Sequence, residues 1–178
     1  SGNFLVSITC ALPISVFSDE SEAVSACCAL HPVSNLIGIG EGLDPDAVAA
    51  HDSESSPEAL LVNGVSFTGR GDGPIASVPE KAEAASPAGL LIRKPADVKA
   101  PPFLLIHGTA DRMVSPAQSA HMAELLKEAH VPFRYYLLEG VDHSSDPAWY
   151  QEPICDLIVK FFEKKLGDCW RSSRRSRR

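Results

Sequence analysis

At 178 residues, with 44% hydrophobic and 22% charged residues, the chain has room for one domain with a substantial core. Formal net charge is -7, and five of the sixteen basic residues are arginines between Arg171 and Arg178. The body is thus more acidic than the total, which argues against nucleic acid as a partner, and no stretch is long and apolar enough to make a membrane span.

In chain order, Phe4, Leu5, Ile8, Ala11 and Leu12 fall on one helical face that Pro13 closes, so the spacing predicts a helix directly after Ser1-Gly2-Asn3. Val24 to Leu30 is a short buried strand that ends at His31-Pro32. Within it Cys27 and Cys28 point to opposite faces and pack as small hydrophobes. With Cys10, Cys155 and Cys169 the cysteines total five, without Cys-x-x-Cys spacing, which supports neither a metal site nor a disulfide framework. From Asn35 to Pro102 sustained periodicity is missing, and Gly, Pro, Ser, Asp and Ala dominate. The reading is loops with short helices, one starting at Ser56-Pro57-Glu58 and another over Ala82 to Ser86. Arg70-Gly71-Asp72 reads as a turn between glycines rather than an adhesion motif. His51, Asp52 and Glu54 are of metal-ligand type, but no second histidine stands near them, so no metal or other cofactor is expected.

The informative stretch is Pro101 to Ser144. Phe103 to Ile106 is an uninterrupted apolar run, as in a strand covered on both faces, and Gly108 ends it. Asp111 follows, at the kind of strand end where ligands bind and catalytic side chains stand. Ser115, Pro116 and Gln118 form a capping box. Met122, Leu125, Leu126 and Ala129 make one apolar stripe before Pro132. Phe133 to Leu138 is the next strand, and Gly140 leads into a loop with Asp142 and His143. Parallel strands joined by a helix are neighbours, so Asp111 and His143 are expected at one sheet edge, an acid and a base of a nucleophilic triad, with Asp142 as the fallback acid. After Pro153, the residues Ile154, Leu157, Ile158, Phe161 and Phe162 form the apolar face of a final helix. Trp170 to Arg178 reads as a solvated basic tail.

His107-Gly108-Thr109-Ala110-Asp111, then Val114 and the helix, then Glu139-Gly140-Val141-Asp142-His143, resembles the last third of an α/β-hydrolase. The resemblance is to the esterase/lipase branch with feruloyl-esterase-like and acetyl-esterase-like members. It covers roughly Ser21 to Leu166. It implies an α/β fold made of the C-terminal part of that sheet, over residues 1–169, with a long irregular cap-like excursion at 31–102 and a basic tail at 170–178. It also implies that Asp111 orients His143 and that His143 activates a serine earlier in the chain. His31 stands where the family often has an aromatic residue, and no role is assigned to it. Gly2-Asn3 resembles the step after a nucleophile elbow, so the serine is expected upstream. Neither Gly-x-Ser-x-Gly nor His-Gly-Gly-Gly occurs here, and Ser1 is rejected as nucleophile because a helical run would not hold it. The expected activity is that of a serine carboxylic-ester hydrolase on a small-molecule ester, with this chain alone inactive. A prolyl-oligopeptidase-type peptidase and a non-catalytic hydrolase-fold remnant are the alternatives.

Overall fold

The computed structural model describes residues 3–7, 24–67, 69 and 71–166. Among these residues four parallel strands form one sheet in the order β1-β2-β3-β4, with β1 at Asn3–Ser7, β2 at Val24–Leu30, β3 at Phe103–Gly108 and β4 at Phe133–Leu138. Three of these strands are the ones predicted, with β3 extending to Gly108. The first corrects the reading: Asn3–Ser7 is a strand in register with β2 (Leu5 with Cys27, Ser7 with Ala29) where a helix was expected. Over so few residues an apolar run fits either period, and pairing with β2 decides it. The remainder of the expected helix, together with Ser1, Gly2 and the basic tail, lies outside the described residues.

The pleat of β2 and β3 divides the core in two. Cys27, Ala29, Phe103 and Leu105 face a helix, α5 (Pro116–Glu128), through Met122, Ala123 and Leu126. Ala26, Cys28, Leu104 and Ile106 face the other way, onto Trp149 and onto Phe161 and Phe162 of α6 (Glu152–Leu166). The adjacent cysteines therefore sit on opposite faces, as alternation requires. Burial pushes both thiols up to about 12, with Cys28 adding to the shift of Cys27. Brief iodoacetamide treatment at pH 8 is expected to alkylate exposed Cys155 and to leave Cys27 and Cys28 unmodified until denaturant is added. Peptide mass mapping checks this, and early labelling of Cys27 or Cys28 would show that the sheet opens easily.

The buried stripe of α5 differs slightly from its prediction. The helix ends at Glu128, Ala129 is exposed, and Ala123 takes its place inside. Between β2 and β3 the excursion is more regular than its composition suggests. It carries α1 (Pro45–His51), α2 (Pro57–Asn63), a 3-10 turn at Ile75–Ser77, α3 (Pro79–Ala85) and α4 (Pro87–Arg93). Each α-helix begins with proline, whose fixed φ and missing N–H suit the first turn. Asp44 and Ser56 cap α1 and α2 through their side chains. Leu91 of α4 joins the α5 side of the core, so this end of the excursion is built into the body of the domain.

Candidate active site

Asp111 follows β3 and His143 follows β4, and the sheet register brings these strand ends side by side. The two side chains meet as expected: Nδ1 of His143 lies 2.7 Å from Oδ2 of Asp111, and both residues are buried. Asp111 can only accept there, so His143 carries its proton on Nδ1 and is left with a basic Nε2. The other carboxylate oxygen, Oδ1, accepts the backbone N–H groups of Met113 (2.9 Å) and Val114 (2.8 Å). Burial by itself would raise the Asp111 carboxyl. The bonds from His107, His143, Val114 and Met113 outweigh it and hold the group well below the usual carboxylate range.

His107, which the sequence reading used only as part of the motif, is the second imidazole on this carboxylate. Its Nε2 lies 3.0 Å from the carbonyl oxygen of Val114 and 3.3 Å from Oδ2 of Asp111. Both are acceptors, so Nε2 bears the proton, and Nδ1 accepts from the Ser119 hydroxyl at 2.6 Å. His107 therefore holds the acid loop from beneath while fully buried. Asp142, the fallback acid, is used otherwise. Its Oδ1 accepts the backbone N–H groups of His143 (2.7 Å) and Arg112 (3.0 Å), tying the two loops together.

Two glycines make this loop geometry possible. Gly140 has φ 72, the left-handed region that glycine enters without strain, and its N–H donates to the Thr109 hydroxyl. Gly108 lets the Val141–Asp142 backbone lie directly against the end of β3, where an added Cβ would collide with the carbonyl oxygen of Val141. Gly108→Ala is expected to destabilise the protein by about 1–3 kcal/mol through overpacking against backbone that cannot yield. Equilibrium urea unfolding measures it, and an unchanged midpoint would show that the His143 loop is free to move away.

The excursion closes over the site by a device the sequence did not reveal. Ser115 caps α5 as expected, accepting from the N–H of Ala117, but its own N–H donates to the carbonyl of Ile39, so Gln118 does not complete a capping box. Gln118 instead accepts the N–H groups of Ser34 (2.9 Å) and Asn35 (2.8 Å), and its amide donates to the carbonyl of Gly38. His51 pairs with Glu58 at 2.6 Å and with the carbonyl oxygen of Met113 at 2.7 Å. Its neighbours Asp52 and Glu54 are not its partners, and no cluster of three metal-ligand side chains occurs among the described residues. Beside His143 these segments form a solvent-open pocket of about 150 Å³, lined by Val33, Leu36, Ile39, Leu61 and Val114 together with His51 and Glu58. Of the Arg-Gly-Asp tripeptide, Arg70 lies outside the described residues. Gly71 bridges to Val65 and lies against the Glu54 backbone, in a local turn.

A parallel sheet flanked by helices, with an aspartate loop after one strand and a histidine loop after the next, is the C-terminal part of an α/β-hydrolase fold. The prolyl oligopeptidase family matches residues 66–169, more than half of the chain, and the chain belongs to that family. It is a family of hydrolase-fold serine hydrolases.

Among solved structures, a truncated carbohydrate esterase from gut microbiota is similar at 19% identity and TM-score 0.59, over 81% of this chain and 43% of its own. A Mycobacterium tuberculosis puromycin-hydrolyzing peptidase is similar at 20% identity and TM-score 0.58, over 86% and 20%. The acylaminoacyl peptidase of Pyrococcus horikoshii is similar at 18% identity and TM-score 0.55, over 85% and 22%. The chain thus spans less than half the length of each of these proteins, and at such identities the likeness is one of fold. Comparison with curated proteins gives no match.

Proposed function

We propose that Asp111 and His143 are the acid and base of a Ser-Asp-His triad, and that the chain is the C-terminal portion of a serine carboxylic-ester hydrolase whose nucleophile lies upstream. The observation that carries this reading is the 2.7 Å bond from Nδ1 of His143 to a carboxylate held by four donors. It fixes the tautomer that leaves Nε2 able to take a proton from a serine hydroxyl and later to return it to the leaving group. The adjoining pocket supports an uncharged substrate group. The pocket is open to solvent, and Val33, Leu36, Ile39, Leu61 and Val114 make much of its wall apolar, which suits a small uncharged acyl or alcohol group beside His143.

Family membership favours a second reading, cleavage of a peptide or acyl-peptide bond. The same acid and base serve either bond, because ester and amide hydrolysis pass through similar tetrahedral intermediates. The test is hydrolysis of p-nitrophenyl acyl esters against acyl-amino-acid p-nitroanilides, by the protein joined to its serine-bearing segment and by the 178-residue chain alone. Ester turnover confined to the joined form supports the proposal, and preference for the anilides makes the protein a peptidase. Equal turnover by the chain alone, lost in His143→Ala, would place the nucleophile within it and overturn the upstream assignment.

A further inference from the structure

His31 ends β2, and its backbone N–H donates to the carbonyl oxygen of Ile106 at 2.7 Å, which fixes it at the edge where the two functional loops emerge. Its ring centroid lies 4.0 Å from that of His143, with the planes tilted by 46°. On another side Trp149 meets it edge-on, the centroids 5.3 Å apart, and His107 lies further off at 6.5 Å. His31 is only 2% exposed, and its Nδ1 has no hydrogen-bond partner among the described residues. It also has φ 39, in the left-handed region that residues with a Cβ seldom adopt. A strained backbone and an unmet buried nitrogen are both unfavourable, and such features persist where the surroundings hold them in place, commonly at functional sites.

We propose that His31 is a positioning residue for His143, an uncharged ring that walls the imidazole in on one face and keeps its Nδ1 on Asp111. This rests on the acid and base roles given above to Asp111 and His143. Rotation of the His143 ring away from Asp111 needs space, and His31 occupies the space on one side. Trp149 backs His31 and secures the loop itself, since its Nε1–H lies 2.9 Å from the carbonyl oxygen of Asp142 and 3.1 Å from that of His143. Trp149, His31 and His143 thus form one packed series from the α6 side of the core to the site. The wall has to be uncharged, because a cation there would oppose the one that forms on His143 when it accepts a proton. Burial and the neighbouring His143 push the His31 imidazole down to about 4, which keeps it neutral in the range where the base operates.

Histidine NMR on ring-¹⁵N-labelled protein tests this without substrate. Failure of the triad therefore shows in ester turnover, and failure of the His31 role shows in the exchange of the His143 Nδ1 proton with water. His31→Phe keeps a ring in place and is expected to hold that exchange rate within about twofold of wild type, whereas His31→Ala admits water and accelerates it about tenfold or more. His31→Leu fills the volume without a flat ring and is expected to fall between the two. It is read in place of His31→Ala should the smaller residue unfold the protein. Exchange within about twofold of wild type in both His31→Ala and His31→Leu would overturn the proposal. So would a His31 ring that titrates between about pH 6 and 8, the range of an ordinary exposed histidine.

Discussion

His143→Ala is expected to lower kcat/KM for p-nitrophenyl esters by about 10⁴-fold or more in a form of the protein joined to the proposed serine-bearing segment, with a separate and moderate loss of stability. In the proposed triad His143 converts a hydroxyl into a nucleophile, and the described structure offers no substitute at the same place. His107 has both nitrogens committed, to Ser119 and to Val114 with Asp111. His31 is buried and stays neutral. His51 is engaged by Glu58 and the Met113 carbonyl. Loss of the His143 side chain leaves Asp111 with three of its four donors, so the stability cost is that of one hydrogen bond to a charged group, about 1.5–3 kcal/mol. Steady-state kinetics and urea unfolding on the same samples separate the two effects. Residual activity within about tenfold of wild type would mean that another group takes the proton, and the acid-base assignment would fall.

Much of the site was legible because its parts are local patterns. Asp111 and His143 each lie a few residues past a strand, and a strand announces itself by an apolar run bounded by glycine. The βαβ rule then places the two strand ends side by side without knowledge of any long-range contact. What stayed hidden depends on contacts between distant segments. His31 is 112 positions from the imidazole it touches, and Gln118 reaches Ser34 across 84. Nothing in the periodicity of either neighbourhood records such a meeting. Trp149 was passed over because it sits in a 3-10 turn of four residues, Pro147–Tyr150, too short to show a buried face. At β1 the failure was of another kind. Phe4, Leu5 and Val6 suit a strand and a helix equally, and the unpaired edge of β2 decides between them. A capping-box pattern at Ser115 and Gln118 was present in sequence, but the glutamine gains more from three backbone groups of the excursion than from one at its own helix start.

Asp111→Asn is expected to separate the proposed catalytic role of the carboxylate from its structural one. The asparagine oxygen can still accept the N–H groups of Met113 and Val114, which are held by Oδ1 in the native protein. Its amide then replaces Oδ2 and presents a donor to Nδ1 of His143, where an acceptor stood. Two donors cannot share that contact, so the imidazole moves its proton to Nε2 and ceases to be a base toward serine, at a cost of about 10⁴ in kcat. Stability falls less, by about 1–3 kcal/mol, since most of the donors keep a partner. Asp111→Ala strands the N–H groups of Met113 and Val114 and the Nδ1–H of His143, while His107 keeps the Val114 carbonyl, and about 3–5 kcal/mol is expected.

The pH dependence carries the sign. The native carboxyl is held below the ordinary value, so between the two pKa values the unfolded chain binds the extra proton and stability rises with pH. The charged-state advantage of wild type over Asp111→Asn is thus fully present above the unfolded value of about 3.9 and shrinks as pH falls beneath it. Urea midpoints of the two proteins should differ most near neutrality, begin to draw together as pH falls from about 4 to 3, and go on closing at lower pH. A gap that instead widened on acidification would mean that Asp111 is protonated in the native state, and that neither its bonds to the two loops nor its pairing with His143 is that of a carboxylate.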